Sequence, residues 1–158
     1  MQATCTSTLN PEVESQAPEA APAAGRPIQV LMVEDDPEAA ALVQHCLKQE
    51  GPERFCVEWE TTLQAAMERI AEPGLDVVLL DLGMPDLSGA KSYIAVAIAA
   101  RDNLPIVIYT GNENVATRDL TLGFGAADYL VKHKCSSTQL RRALCDAVRY
   151  FRPGHLHP

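Results

Sequence analysis

A chain of 158 residues has room for one domain and a short tail, not for a second large core. Its 47% hydrophobic content supports a packed globule, and a parallel sheet covered on both faces fits this size. The formal net charge of −8 argues against wholesale nucleic-acid binding, which depends on basic residues neutralising phosphates.

The first 26 residues are rich in Ala, Pro, Thr and Glu and bury too little to offset their ordering entropy, so a disordered tail is expected over 1–26. From Ile28 to Val33 the run is apolar but for Gln29, as in a strand buried on both faces. Asp36 and Pro37 then open a helix as N-cap and first helical residue. Its apolar stripe is Ala39, Leu42, Val43, Cys46 and Leu47, and Gly51 closes it. Phe55, Val57 and Trp59 alternate with polar residues as a half-buried second strand. Thr61 or Thr62 caps a second helix facing inward through Leu63, Ala66, Met67, Ile70 and Ala71. Asp76 to Leu80 is a third strand, running into Asp81 and the turn Gly83-Met84-Pro85-Asp86. An Ala-rich helix follows from Gly89 to about Arg101, with Tyr93, Ile94, Ala97 and Ile98 inward. Pro105 to Tyr109 is a fourth strand, and a weakly periodic helix runs from about Asn112 to Leu122. Ala127 to Val131 is a fifth strand. Ser136 or Ser137 caps a last helix striped by Leu140, Ala143, Leu144, Ala147, Val148 and Phe151.

Five strands alternating with five helices imply parallel strands and right-handed crossovers. The fold class is therefore α/β: a doubly wound five-stranded parallel sheet, order 2-1-3-4-5, occupying 27–152, with a short C-terminal tail over 153–158. Such sheets bind ligands outside the carboxyl ends of their strands. There the first strand ends in Glu34-Asp35-Asp36, the third in Asp81, the fourth in Thr110 and the fifth in Lys132. Singly, each has an ordinary reading: a helix cap for Asp36, a solvated turn for Glu34 and Asp35, turn chemistry for Asp81 and Thr110, a surface lysine for Lys132. Jointly they bring carboxylates, a hydroxyl and an ammonium to one rim. Clustered carboxylates suit a hard cation such as Mg²⁺, and a carboxylate can serve as nucleophile towards a phosphoryl group. Neutralising the phosphoryl oxygens falls to the metal, Lys132 and Thr110.

These residues match a known pattern. Val30-Leu31-Met32-Val33-Glu34-Asp35-Asp36-Pro37 resembles the first strand and acidic pair of response regulator receivers, the CheY-like superfamily with a flavodoxin-like fold. Asp76-Val-Val-Leu-Leu-Asp81-Leu-Gly-Met-Pro85-Asp-Leu-Ser-Gly89 resembles their phosphorylation loop. Ile106 to Gly111 and Gly125 to Lys132 resemble their switch-threonine and lysine segments. The resemblance covers about Pro27 to Arg152. It implies Asp81 as phospho-acceptor and Glu34 and Asp35 as the acidic pair for Mg²⁺, with Asp35 the closer ligand. It adds the Gly83 carbonyl to the metal shell and places Lys132 on the phosphoryl group. Thr110 then moves towards that group, and Tyr129 swings inward in concert. Where many family members have proline after the lysine, this chain has His133.

The resemblance implies a two-component or phosphorelay module. Its donor is a sensor histidine kinase or a histidine phosphotransfer protein, and its downstream protein docks on the face of helix 4, strand 5 and helix 5. No direct nucleic-acid contact and no membrane insertion are expected, nor enzyme activity beyond at most slow autodephosphorylation. The competing enzyme reading is a phosphatase of the haloacid dehalogenase type, which needs a second Asp two positions past the nucleophile; Gly83 stands there. A plain flavodoxin-like cofactor domain is disfavoured because an anionic rim repels flavin phosphates. No run reaches the roughly 20 apolar residues of a membrane span, and no secretory signal is expected. The scattered Cys5, Cys46, Cys56, Cys135 and Cys145 form no metal-ligand spacing, and His155 and His157 are set aside as ligands. A cytoplasmic location with free thiols is expected. The chain ends soon after the last helix, so no output domain is expected within it.

Overall fold

The computed structural model describes residues 25–49 and 54–151. The apolar runs become five strands: β1 (Ile28–Val33), β2 (Phe55–Glu60), β3 (Val77–Leu80), β4 (Ile106–Thr110) and β5 (Asp128–Val131). They pair in parallel in the order β2-β1-β3-β4-β5. The central strands are the most apolar in sequence and the most buried in place. β3 and β4 are buried throughout, and β1 at every position but Gln29. Full burial of a Val or Leu side chain is worth about 2 kcal/mol, so the strands that lead into Glu34, Asp81 and Thr110 are the best anchored, while edge strand β5, which leads into Lys132, is half-buried.

The alternation of side chains along each strand divides the core in two. Leu31, Val33, Val78, Leu80 and Ile108 face one layer, formed by α2 (Leu63–Ile70), α3 (Ala90–Ala100) and α4 (Val115–Gly123). Val30, Met32, Val77, Leu79 and Val107 face the other, formed by α1 (Pro37–Lys48) and α5 (Ser137–Tyr150). The caps are local. Asp36 accepts the Glu38 amide at 2.9 Å, with Pro37 at the first helical position. Thr62, rather than Thr61, caps α2, and Ser136 forms a reciprocal capping box with Gln139. Arg26, counted with the tail by composition, forks onto Asp76 at 2.7 and 3.0 Å, and Asp76 also accepts the Gln29 amide. The rest of the expected tails, residues 1–24 and 153–158, lies outside the described residues, as does Gly51; α1 ends at Lys48 with Gln49 as its cap.

Two helices turn differently from expectation. In α1, Ala40 joins Val43 and Leu47 in the core while Leu42 is 56% exposed. In α3, Tyr93, Val96 and Ala100 face inward, whereas Ile94 and Ile98, expected inside, are 38% and 71% exposed. The cause is composition: α3 reads Ala-Lys-Ser-Tyr-Ile-Ala-Val-Ala-Ile-Ala-Ala, with no polar face to oppose an apolar one, so periodicity has nothing to orient by. α4 begins three residues later than the weak pattern placed it, at Val115 behind the cap Asn114, and buries only Thr121.

Candidate functional site

Sheet register builds the site. Val33 pairs with Leu80, so the next residues, Glu34 and Asp81, emerge side by side at the top of β1 and β3. Thr110 pairs with Val131, so Lys132 follows directly beyond Thr110 on the next strand. Lys132 opens a short 3₁₀ turn, Lys132–Lys134, whose course carries its side chain back across the sheet. Its Nζ donates to Glu34 Oε2 at 2.5 Å and to Asp81 Oδ2 at 3.0 Å. Glu34 and Asp81 are 2% and 7% exposed, and Thr110 1%. Asp35 stands exposed beside them, and ligand oxygens of Glu34, Asp35 and Asp81 lie within 4.8 Å of one another.

Each carboxylate has its own environment. Burial pushes the Glu34 carboxyl up, and this outweighs the opposing pull of Lys132 and of the Asp36 amide, which donates to Oε1 at 3.1 Å. Burial also works against Asp81, but here the Gly83 amide, donating to Oδ1 at 2.9 Å, together with Lys132 and the Thr110 hydroxyl, brings its carboxyl below the ordinary value. Burial disfavours the Lys132 ammonium, yet its two carboxylate partners raise it above the usual lysine value. Asp81 therefore stays ionised on the floor of an open cleft of ≈ 480 Å³, also lined by Gly83, Ser88, Thr110, Asn112 and Lys132.

The sequence-derived residues come together: Glu34, Asp35, Asp81, Gly83, Thr110 and Lys132 share this rim, while Asp36 turns away to cap α1. Gly83 presents its amide to Asp81. Tyr129 is inside, 6% exposed, its hydroxyl donating to the Asn112 carbonyl at 2.7 Å, and the Asn112 amide in turn donates to Thr110 Oγ1 at 3.3 Å. Three neighbours were missed. The Trp59 indole N–H donates to the Glu34 carbonyl at 2.7 Å, tying β2 to the acidic turn. Glu113 is held by Lys134 at 3.0 Å and contacts His133, so the residue in the usual proline position clasps the β4–α4 loop. Asn112 links the threonine to the tyrosine. The one available signal was Trp59 itself, a lone tryptophan at a strand end.

The donor set is all oxygen and the charge count is uneven: three carboxylates face one ammonium. That suits a hard divalent cation such as Mg²⁺, to which Glu34, Asp35 and Asp81 could each offer an oxygen. The phosphatase arrangement does not fit, because the residue two past Asp81 offers an amide and has no side-chain acid.

A family model described as the response regulator receiver domain matches residues 30–144. Among curated proteins, the swarming motility regulation protein RssB of Serratia marcescens is 32% identical over 105 residues, 66% of this chain and 46% of that protein. The sensory transduction protein RegX3 of Mycobacterium tuberculosis is 33% identical over 103 residues, 65% of this chain and 43% of that one. The chain spans less than half the length of these relatives. Among solved structures, a CheY-like response regulator receiver domain protein from Methanospirillum hungatei has a TM-score of 0.67 at 20% identity, covering 77% of this chain and 94% of its own. A receiver domain protein from Clostridium thermocellum gives 0.67 at 22%, covering 77% and 94%. With the fold, the strand order and the family match in agreement, this chain belongs to the response regulator receiver domains of two-component signalling.

Proposed function

We propose that this receiver accepts a phosphoryl group on Asp81 from a sensor histidine kinase or histidine phosphotransfer protein, in a Mg²⁺-dependent reaction in the cytoplasm, and that the modified state switches binding of a downstream protein. An oxygen of Asp81 forms a bond to phosphorus as the P–N bond of the donor's phosphohistidine breaks, and the leaving imidazole takes up a proton. Lys132 pairs with the incoming oxygens and the Thr110 hydroxyl donates to another. When bound, Mg²⁺ supplies the positive charge that lets an anionic donor approach an anionic rim. The role is that of a phosphorylated switch with no turnover of its own beyond slow autodephosphorylation. The observation that carries this reading is the 7% exposed Asp81 carboxyl facing an open cleft with Lys132 at 3.0 Å.

The test is acetyl phosphate with Mg²⁺, read by intact mass. Wild type is expected to gain one alkali-labile phosphoryl group, while Asp81→Asn or addition of EDTA abolishes it. Equal labelling of Asp81→Asn, or labelling indifferent to EDTA, sinks the assignment.

A further inference from the structure

A second cavity, of ≈ 350 Å³, lies at the opposite end of the sheet, beneath the first residues of β4 and β5 and between α3 and α5. Its size falls in the range of small-molecule sites, roughly 300–1,000 Å³. Four aromatic side chains line it, Tyr93, Phe124, Tyr150 and Phe151. The whole chain carries only eight (one Trp, four Tyr and three Phe), so half are gathered here. Ala97, Ala100 and Ala147 take little space from the flanking helices and leave the volume open.

The polar side chains are of one sign. Asp102, Asp128 and Asp146 stand on the walls, and among the described residues no Lys, Arg or His lines the cavity. Among the described residues these acids are poorly matched: Asp102 has no ion pair, Asp146 reaches only Arg142, at 3.9 Å across a largely exposed contact, and the Asp128 carboxylate accepts only the neighbouring Tyr129 amide. Asp102 is held in place by an unusual turn. Arg101 and Asp102 both adopt left-handed backbone, at φ 50° and 56°, which side chains rarely accept and which clusters at ligand sites. Tyr93 is fixed by donating to the Phe124 carbonyl at 3.0 Å; burial first, and then the Asp102 charge, push its hydroxyl up to about 12, so it remains neutral. At the mouth, Phe124 and Tyr150 are 63% and 66% exposed, presenting ring surface to whatever enters.

Aromatic faces attract cations and carboxylates complete the charge, whereas an anion meets only repulsion. We propose that this cavity is a binding site for a small organic cation, an ammonium or guanidinium carried on an apolar body. Benzyltrimethylammonium, titrated into the full chain and followed by backbone amide shifts, tests it. Saturable shifts are expected at Asp102, Gly125 and Ala147, with neutral benzyl alcohol and anionic phenylacetate at least about tenfold weaker. Asp102→Asn and Tyr150→Ala should each weaken the cation about fivefold or more while the spectrum stays dispersed, since both residues are exposed. Three outcomes overturn the proposal: equal affinity for benzyl alcohol, shifts confined to Glu34, Asp35 and Asp81, or no saturable shift at all.

Discussion

Glu34 and Asp81 end neighbouring parallel strands, so acids at both positions demand a cation between them, and Lys132 meets that demand by bonding both. With Asp35 added, charges within 4.8 Å repel by roughly 3 kcal/mol per pair at an effective dielectric near 20, and one ammonium leaves the cluster still anionic. A divalent ion would relieve the remainder, which distinguishes the candidate ligands from the cap. Asp35→Asn is expected to weaken Mg²⁺ binding by about tenfold or more, while Asp36→Asn leaves it nearly unchanged because Asn also caps helices well. Calorimetry checks this, and Trp59 fluorescence offers a second readout, since its indole bonds the Glu34 carbonyl. A larger effect at Asp36 than at Asp35 shifts the acidic pair by one residue. Glu34, Asp81, Thr110 and Lys132 were readable from sequence because each stands at the end of a strand-like apolar run, and strand ends are where such sheets bind ligands. A lone tryptophan at a strand end hinted at Trp59, but the partners of Trp59 and Glu113 were not readable. Both depend on how separate elements meet, the edge register of β2 in one case and the approach of two loops in the other, and no local pattern encodes either.

Elements were legible in proportion to their contrast. α5 alternates charge and apolar side chains, and five of the six core residues read from it (Leu140, Ala143, Leu144, Ala147 and Val148) are buried, while Phe151 falls at the cap and is half-buried. α3 has apolar side chains all round and was read with the wrong face. α4 has a single buried residue, Thr121, which explains both its weak signal and its loose anchoring. Between elements, the clearest electrostatic tie is Arg69 of α2, whose Nε and Nη2 fork onto Glu58 of β2 at 2.6 and 2.9 Å. The hydrogen bonds from Arg69 hold the Glu58 carboxyl below its ordinary value of 4.5, against the smaller upward push of burial. A depressed folded-state pKa adds stability above the unfolded value and loses it as pH falls through the folded one. Glu58→Gln should therefore lower the melting temperature near pH 7, and the gap from wild type should close as the pH falls below 4.5. Glu58 is 38% exposed at its side chain, so the effect is modest. A gap that is constant down to pH 3 would remove the ion pair as its cause.

At the scale of the molecule, the rim and the α4 face are joined by one short chain of bonds. The Asn112 amide reaches Thr110 Oγ1, the Asn112 carbonyl receives the Tyr129 hydroxyl, and Asn112 leads through Asn114 into α4. A phosphoryl group that accepts the Thr110 hydroxyl hydrogen draws Thr110 towards it, and with it the Asn112 amide that donates to Oγ1; α4, with only Thr121 buried, resists least. A modification shifts a two-state equilibrium only by its differential interaction with the two states, and moving from 1:99 to 99:1 requires about 5.5 kcal/mol. Thr110 and Lys132 are the side chains placed to supply that difference. Thr110→Ala should thus still accept phosphate at Asp81, since nucleophile, lysine and acidic pair are intact, but lose most of the change transmitted to Tyr129 and Arg118. Backbone amide shifts with and without beryllofluoride, a phosphoryl mimic, compare the two proteins. In wild type the changes are expected along α4, β5 and α5; in Thr110→Ala they should shrink to the rim. If wild-type changes gather instead on α1 and β2, the signal travels through the other junction at the rim, the Trp59 bond to the Glu34 carbonyl, and the downstream protein docks at the β2 edge of the sheet.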